Sequence, residues 1–235
     1  MATVLPSTAA QVSEAPVPLS PTATEATALE VRVLLQNVSW DTYEKLVEEI
    51  VNPGTRLAYD EGLLEIMSPL ERHDRFKELL GRLVDVVTEE LDMSCRSTGS
   101  TTWRRKKKKK GLEADKSYYL TNAPKVRGKR EVDLNIDPPP DLAIEVENTS
   151  SALDQLGIYA ALGIPEVWRF DGEILTIHGL QANGQYAEQT QSQFFSRETT
   201  AKMVEWIGKC DEGDDEIPWI KEFRRWVREN LVISR

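Results

Sequence analysis

Apolar positions along the chain switch repeatedly between a helical and an extended period. Tyr43, Leu46, Val47 and Ile50 recur at helical spacing behind a capping-box pattern of Asp41 and Glu44, which predicts a helix from Asp41 to Val51. Asn52, Pro53 and Gly54 stop it. Arg56 to Tyr59 and Leu63 to Ile66 then read as a short hairpin turning through Asp60, Glu61 and Gly62. After Ser68 and Pro69 comes the strongest helical signal: Phe76, Leu79, Leu80, Leu83, Val84, Val87 and Leu91 fall on one face over about five turns.

Extended segments are expected next at Ser94 to Thr98, Thr101 to Arg105 and Asp115 to Leu120. Beyond a polar stretch rich in Lys, Arg and Gly, a further strand pattern starts at Glu131. In it Val132, Leu134 and Ile136 alternate with Asp133, Asn135 and Asp137 until Pro138, Pro139 and Pro140 break it. Asp141 to Glu147 alternates again, with Leu142, Ile144 and Val146 on one face and Asp141, Ala143, Glu145 and Glu147 on the other. Ser150 or Ser151 can cap a helix striped by Leu153, Leu156 and Ala160 and ended by Gly163 and Pro165. Glu166 to Phe170, Ile174 to His178 and Gln185 to Glu188, joined by Asp171-Gly172 and Asn183-Gly184, predict an antiparallel meander. Two closing helices should pack on the sheet, one around Met203, Val204, Trp206 and Ile207, the other around Trp219, Phe223, Trp226, Val227 and Leu231. The stripe of Trp219, Phe223 and Trp226 suits either the core or a homodimer contact. No internal repeat is visible.

Composition sets the outer limits. Residues 1–28 are so rich in Pro, Ser, Thr and Ala that they read as a disordered tail, leaving 29–235 as one domain. No apolar run approaches the roughly 18 residues needed to cross a bilayer, and the N-terminus has no secretion-signal pattern. With only Cys95 and Cys210, too few and too isolated for a disulfide framework or a zinc cluster, a soluble protein of the reducing cytoplasm is expected. The 29 basic and 39 acidic residues give a net charge of −10, which argues against broad attraction to DNA or an anionic membrane. Any nucleic-acid contact must therefore be local.

Metal-assisted phosphodiester cleavage needs carboxylates from different strands converging on a hard cation such as Mg²⁺. Glu145 and Glu147 share a strand face about 6.6 Å apart, whereas Asp141, about 13 Å from Glu145, suits a strand start or turn. Asp115, at the head of its own extended run, is the natural partner from a neighbouring strand.

The order of helix Leu70 to Leu91, strands carrying Asp115 and then Glu145, helix Ser151 to Leu162 and strand Glu166 to Phe170 resembles the αβββαβ core of PD-(D/E)XK nucleases, here followed by a C-terminal β-meander and closing helices. The phrases DEGLLEIMSP, GLEADKSYYL, PPPDLAIEVENTS and IYAALGIPEVWRFDG resemble the Uma family of bacterial proteins named as restriction-type endonucleases, over about Asp60 to Gly172. That resemblance implies an α/β restriction-endonuclease-like fold that cleaves DNA with Mg²⁺, for which Mn²⁺ could substitute. It also implies metal ligation by the aspartate of EAD, Asp115, and the glutamate of AIEVE, Glu145. Two departures stand out. The superfamily's lysine would lie two residues after the glutamate, where Glu147 stands. Many relatives instead carry a lysine on the next helix, four residues before the tyrosine of YA, and Gln155 holds that place. Glutamine can orient water or phosphate but brings no charge. Asp115, Glu145, Glu147 and Gln155 are thus the candidate catalytic residues, and a nuclease-fold protein without catalysis, binding DNA or a protein partner, is the rival reading. His73, near Glu71, reads either as an aid to positioning water or as a solvated or capping residue. The basic run Arg104 to Lys110, beside Trp103, reads either as a phosphate grip or as a solvated loop.

Overall fold

The computed structural model describes residues 31–50, 54–68, 71–146, 151–210 and 215–232, with the backbone alone at residues 71–73. The expected N-terminal tail, Glu147, Ser150 and the side chain of His73 lie outside the described residues. Among those described, nine strands form one sheet: β1 (Val31–Leu35), β2 (Arg56–Asp60), β3 (Leu63–Ser68), β4 (Arg96–Arg105), β5 (Lys110–Tyr119), β6 (Leu142–Val146), β7 (Glu166–Phe170), β8 (Leu175–Leu180) and β9 (Tyr186–Gln189). The helices are α1 (Trp40–Glu49), α2 (Glu71–Glu90), α3 (Gln155–Leu162), α4 (Arg197–Ile207) and α5 (Glu216–Val227). From α2 to β7 the elements follow in the order αβββαβ, as the sequence suggests. None of the described helices is long and apolar enough to cross a membrane.

The sheet runs β1-β3-β2-β5-β6-β7-β8-β9, with β4 branching off at β5. All neighbours are antiparallel except β6 and β7, which α3 connects as a parallel crossover. Because β4 follows β5 along its whole length, β2 and β6 must share the other edge. β2 pairs with Lys110, Gly111 and Leu112, and β6 with Lys116, Ser117 and Tyr118. The three residues between, Glu113, Ala114 and Asp115, sit where the sheet forks.

A β-bulge coincides with the fork. Thr101 pairs with Ala114 and Gly99 with Ser117, so three residue steps on β5 match two on β4. The extra residue turns the strand over. Leu112 and Ala114 join the core on the α3 face, yet Tyr118, at the same parity, donates to the Gly81 carbonyl of α2 at 3.2 Å on the opposite face. Lys116 follows it there and reaches Glu78 at 3.2 Å.

Each sheet face has its own core. Leu79, Leu80, Leu83, Val84 and Val87 of α2 meet Tyr118, Leu142, Ile144, Trp168 and Phe170 on one side, and Met203, Trp206, Trp219 and Phe223 close it from α4 and α5. On the other, Ile158, Tyr159 and Leu162 of α3 cover Ala58, Ala114, Ala143 and Val167. The aromatic stripe of α5 is therefore core, not a free surface for a second copy. A third cluster seats α1 on the β2–β3 hairpin, where Tyr43 stacks on Tyr59 with ring centroids 4.8 Å apart. Gly81 lets α2 approach β5 closely, since a Cβ there would lie 2.6 Å from Cδ and Cε of Lys116.

Several local expectations need correction. Ser39, not Asp41, caps α1, accepting from Thr42 N at 3.1 Å. Ser94 to Thr98 and Thr101 to Arg105 are parts of one bulged strand, and Asp115 lies inside β5 instead of heading it. Asp154 caps α3, accepting from Gly157 N at 2.9 Å, while Ser151 is turned to β3. The pattern from Glu131 to Ile136 is no strand, because the aspartates organise turns instead. Asp133 accepts from Asn135 N at 2.9 Å and Asp137 accepts from Asp133 N at 3.1 Å. β1, with Val31, Val33 and Leu35, is a strand beyond those expected.

Asp141 opens β6, and its buried carboxylate accepts from Leu120 N at 2.7 Å, Asn122 N at 2.8 Å and Asn122 Nδ2 at 2.9 Å. These bonds fix the turn after β5 and with it the register of β6. Hydrogen bonds to a charged group contribute more than neutral ones, so Asp141→Ala should destabilise the fold by about 3 kcal/mol, read as a lower urea midpoint. An unchanged midpoint would show that water replaces all three donors.

Candidate active site at the strand fork

The sheet places two of the expected carboxylates side by side. Beyond the Lys116–Ile144 pair of the β5–β6 ladder, the next residues are Asp115 and Glu145. Both are buried. Together with Gln155, the first residue of α3, they line one cavity of about 20 Å³ at the fork, room for a water or an ion. Glu113, Arg56, Glu65 and Arg32 complete its polar wall.

Each carboxylate is held by a different element. Asp115 accepts from the backbone N–H of Val146 at 2.8 Å, which satisfies the last residue of β6 on the β5 side, where the ladder has ended. Its other oxygen lies 3.6 Å from Nε of Arg56. Glu145 accepts the hydroxyl of Tyr159 from the facing turn of α3. Burial, reinforced by the Glu145 charge, raises the Tyr159 hydroxyl well above its ordinary range, so it remains a donor. Burial also pushes the carboxyl of Glu113 up against the opposing pull of Arg56.

Glu65 ties the lead-in of α3 to β3. It is buried, pairs with Arg32 at 2.7 Å, and accepts from Ser151 Oγ at 2.8 Å and Ala152 N at 2.7 Å. Arg56, Glu65 and Tyr159 escape the sequence reading. In the sequence, the first two are lone charged residues at the start and middle of apolar strands, and the tyrosine resembles any core aromatic. Such lone charges between apolar neighbours are the signal available, since burial of a charge requires a partner. Glu113, two residues before Asp115 on the same strand, carries a plainer signal.

The other candidates stand apart. Glu147 lies outside the described residues. Asp141 serves its turn, as expected. The basic run forms the tip of the β4–β5 hairpin, with Lys110 five residues and about 17 Å along β5 from Asp115. Part of its charge is spent within the chain: Arg104 lies 3.6 Å from Glu48, Lys106 lies 3.1 Å from Glu44, and Lys110 pairs with Asp60. Lys107, Lys108 and Lys109 are exposed. A larger cavity of about 740 Å³ between β4, α1 and the 129–137 segment contains neither Asp115 nor Glu145.

The donor set at the fork suits a hard divalent cation. Asp115, Glu145 and the amide oxygen of Gln155 are oxygen ligands, and Mg²⁺ is commonly held by one or two carboxylates with water and phosphate oxygens filling its remaining positions. Among the described residues no group of three or more His, Cys, Asp or Glu is placed to hold a metal, so this pair would depend on those outside oxygens.

The chain thus combines a mixed α/β fold with two buried carboxylates on neighbouring strands. Residues 40–205 match the Uma2 family, described as "Putative restriction endonuclease", and the chain belongs to that family. It is also similar to the crystal structure of a protein from Anabaena variabilis ATCC 29413, described as a "putative nuclease belonging to DUF820", with 15% identity and a TM-score of 0.45, over 72% of this chain and 99% of that one. No curated protein matches.

Because Glu65 supports the backbone that presents Gln155, Glu65→Ala should cost about 3 kcal/mol, the penalty for leaving buried partners unpaired. It should also speed amide hydrogen exchange at Ala152 more than in the sheet. Unaltered protection at Ala152 would remove Glu65 from this supporting role.

Proposed function

We propose that this chain is a PD-(D/E)XK-type endonuclease that hydrolyses DNA phosphodiester bonds with Mg²⁺ held by Asp115 and Glu145, Mn²⁺ being able to substitute. The observation that carries this reading is the convergence of Asp115, Glu145 and Gln155, from two strands and a helix, on one small cavity. Family membership supports it. When bound, such a metal polarises the phosphate and lowers the pKa of its water. The chain's own residues do the positioning. Val146 N–H orients Asp115, Tyr159 orients Glu145, and the cavity between them has room for a water or an ion. Gln155 can align water or a phosphate oxygen through its amide. Glu147, following Glu145 on the same strand pattern, would extend the acidic site.

Gln155 also favours a second reading, a nuclease fold that binds DNA or a protein partner without cutting, because its side chain brings no positive charge to the cavity.

Asp115→Asn and Glu145→Gln should each abolish Mn²⁺ binding in isothermal titration, since one carboxylate cannot offset dehydration of the ion. Equal affinity in both folded variants would refute the assignment, and a parallel loss in Glu147→Gln would add that residue.

Gln155→Lys should raise the rate of Mg²⁺-dependent plasmid nicking by about 10²–10³ with metal affinity nearly constant, because the added cation meets charge that develops only in the transition state. A slower Lys variant would show that glutamine is itself adapted to the reaction. Metal binding without cleavage in either form would support the second reading.

A further inference from the structure

We infer that Arg56 is the cation of this site and that it binds a phosphate of the nucleic-acid strand, a role resting on the nuclease-fold reading above. The residue is only 7% exposed and lies at the fork, in the same cavity as Asp115, Glu145 and Gln155. It is surrounded by carboxylates but poorly satisfied by them. One terminal nitrogen donates to Glu113, while the other stands 3.7 Å from Asp74 and Nε stands 3.6 Å from Asp115. The latter two separations exceed hydrogen-bond length, and Nε–H has no hydrogen-bond partner among the described residues.

A buried donor without a partner is costly, and in a native protein it calls for a reason. A tetrahedral phosphate supplies one. The guanidinium fork matches two phosphate oxygens, and its charge persists at any working pH. The neighbouring cations are occupied otherwise: Lys77 donates to Asp74 at 2.7 Å, and Lys116 lies on the α2 face against Glu78. Arg32 also lines the cavity but pairs with Glu65 at 2.7 Å, so with neutral Gln155 at the head of α3, Arg56 is the cation that stands beside Asp115. In the free protein Glu113 holds the guanidinium in place, and an arriving phosphate would compete with that carboxylate for the same donor.

The test uses the full chain and a short fluorescent DNA duplex in EDTA, so that no metal or cleavage enters. Arg56→Gln should lower the slope of log affinity against log salt by about 0.9, the loss of one phosphate contact. Glu113→Gln should bind several-fold more tightly, and that gain should vanish in the double variant Arg56→Gln/Glu113→Gln. This double variant removes both members of the ion pair and so remains foldable if the single one is not. A wild-type slope in the double variant, or a gain from Glu113→Gln that persists without Arg56, would overturn the inference. With Mg²⁺ present, Arg56→Gln should lower kcat/KM for nicking by about 10²–10³, and Arg56→Lys should restore part of it. If the natural protein proves unable to cut, the endonuclease reading fails by itself, and the slope in EDTA alone decides the role of Arg56.

Discussion

The bond from Val146 N–H to Asp115 is the constraint around which the site is built. At the fork, β5 loses one neighbour before it gains the next, and the last residue of β6 would have a buried donor with no strand to receive it. A carboxylate meets that need in place of a carbonyl. The solution brings a negative charge into the sheet, and the surroundings answer it: Arg56 stands beside it, Glu113 balances Arg56, and Asp74 with Lys77 extends the chain of charges to α2. The bulge that places Asp115 and Lys116 together lets one strand serve the cores on both faces.

Much of the architecture was legible because its signals are local. The helical stripe from Phe76 to Leu91, the Asp171-Gly172 turn and the αL glycine after α3 each depend on residues a few positions apart, and they appear where the pattern puts them. Asp115 and Glu145 were legible through family resemblance, and the sheet sets them on adjacent strands. The fork was not legible, since it arises from two registers, β2 on β5 and β6 on β5, set by strands far apart in sequence. The misread strand from Glu131 shows the reverse case. Alternation of Val132, Leu134 and Ile136 is what a strand would have, but Asp133 and Asp137 offer the backbone nearer partners.

Positioning of the candidate site rests on groups that keep one protonation state. Tyr159 stays a donor to Glu145, and the main chain of Ala152 and Val146 donates to Glu65 and Asp115. Such contacts are preorganised, because neither burial nor an arriving charge changes what they offer. The hairpin tip with its exposed lysines lies about 17 Å along β5 from Asp115 and takes no part in these contacts.

Gly81 bears on how this protein can be engineered. A glycine inside a long helix is an obvious target for thermostabilisation, since alanine gains about 1 kcal/mol of helix propensity. Here the methyl would occupy space held by the buried stem of Lys116, which leaves β5 immediately after Asp115. A stabilising campaign guided by propensity alone would thus have to displace Lys116, the neighbour of Asp115 on β5, and would forfeit the gain it sought.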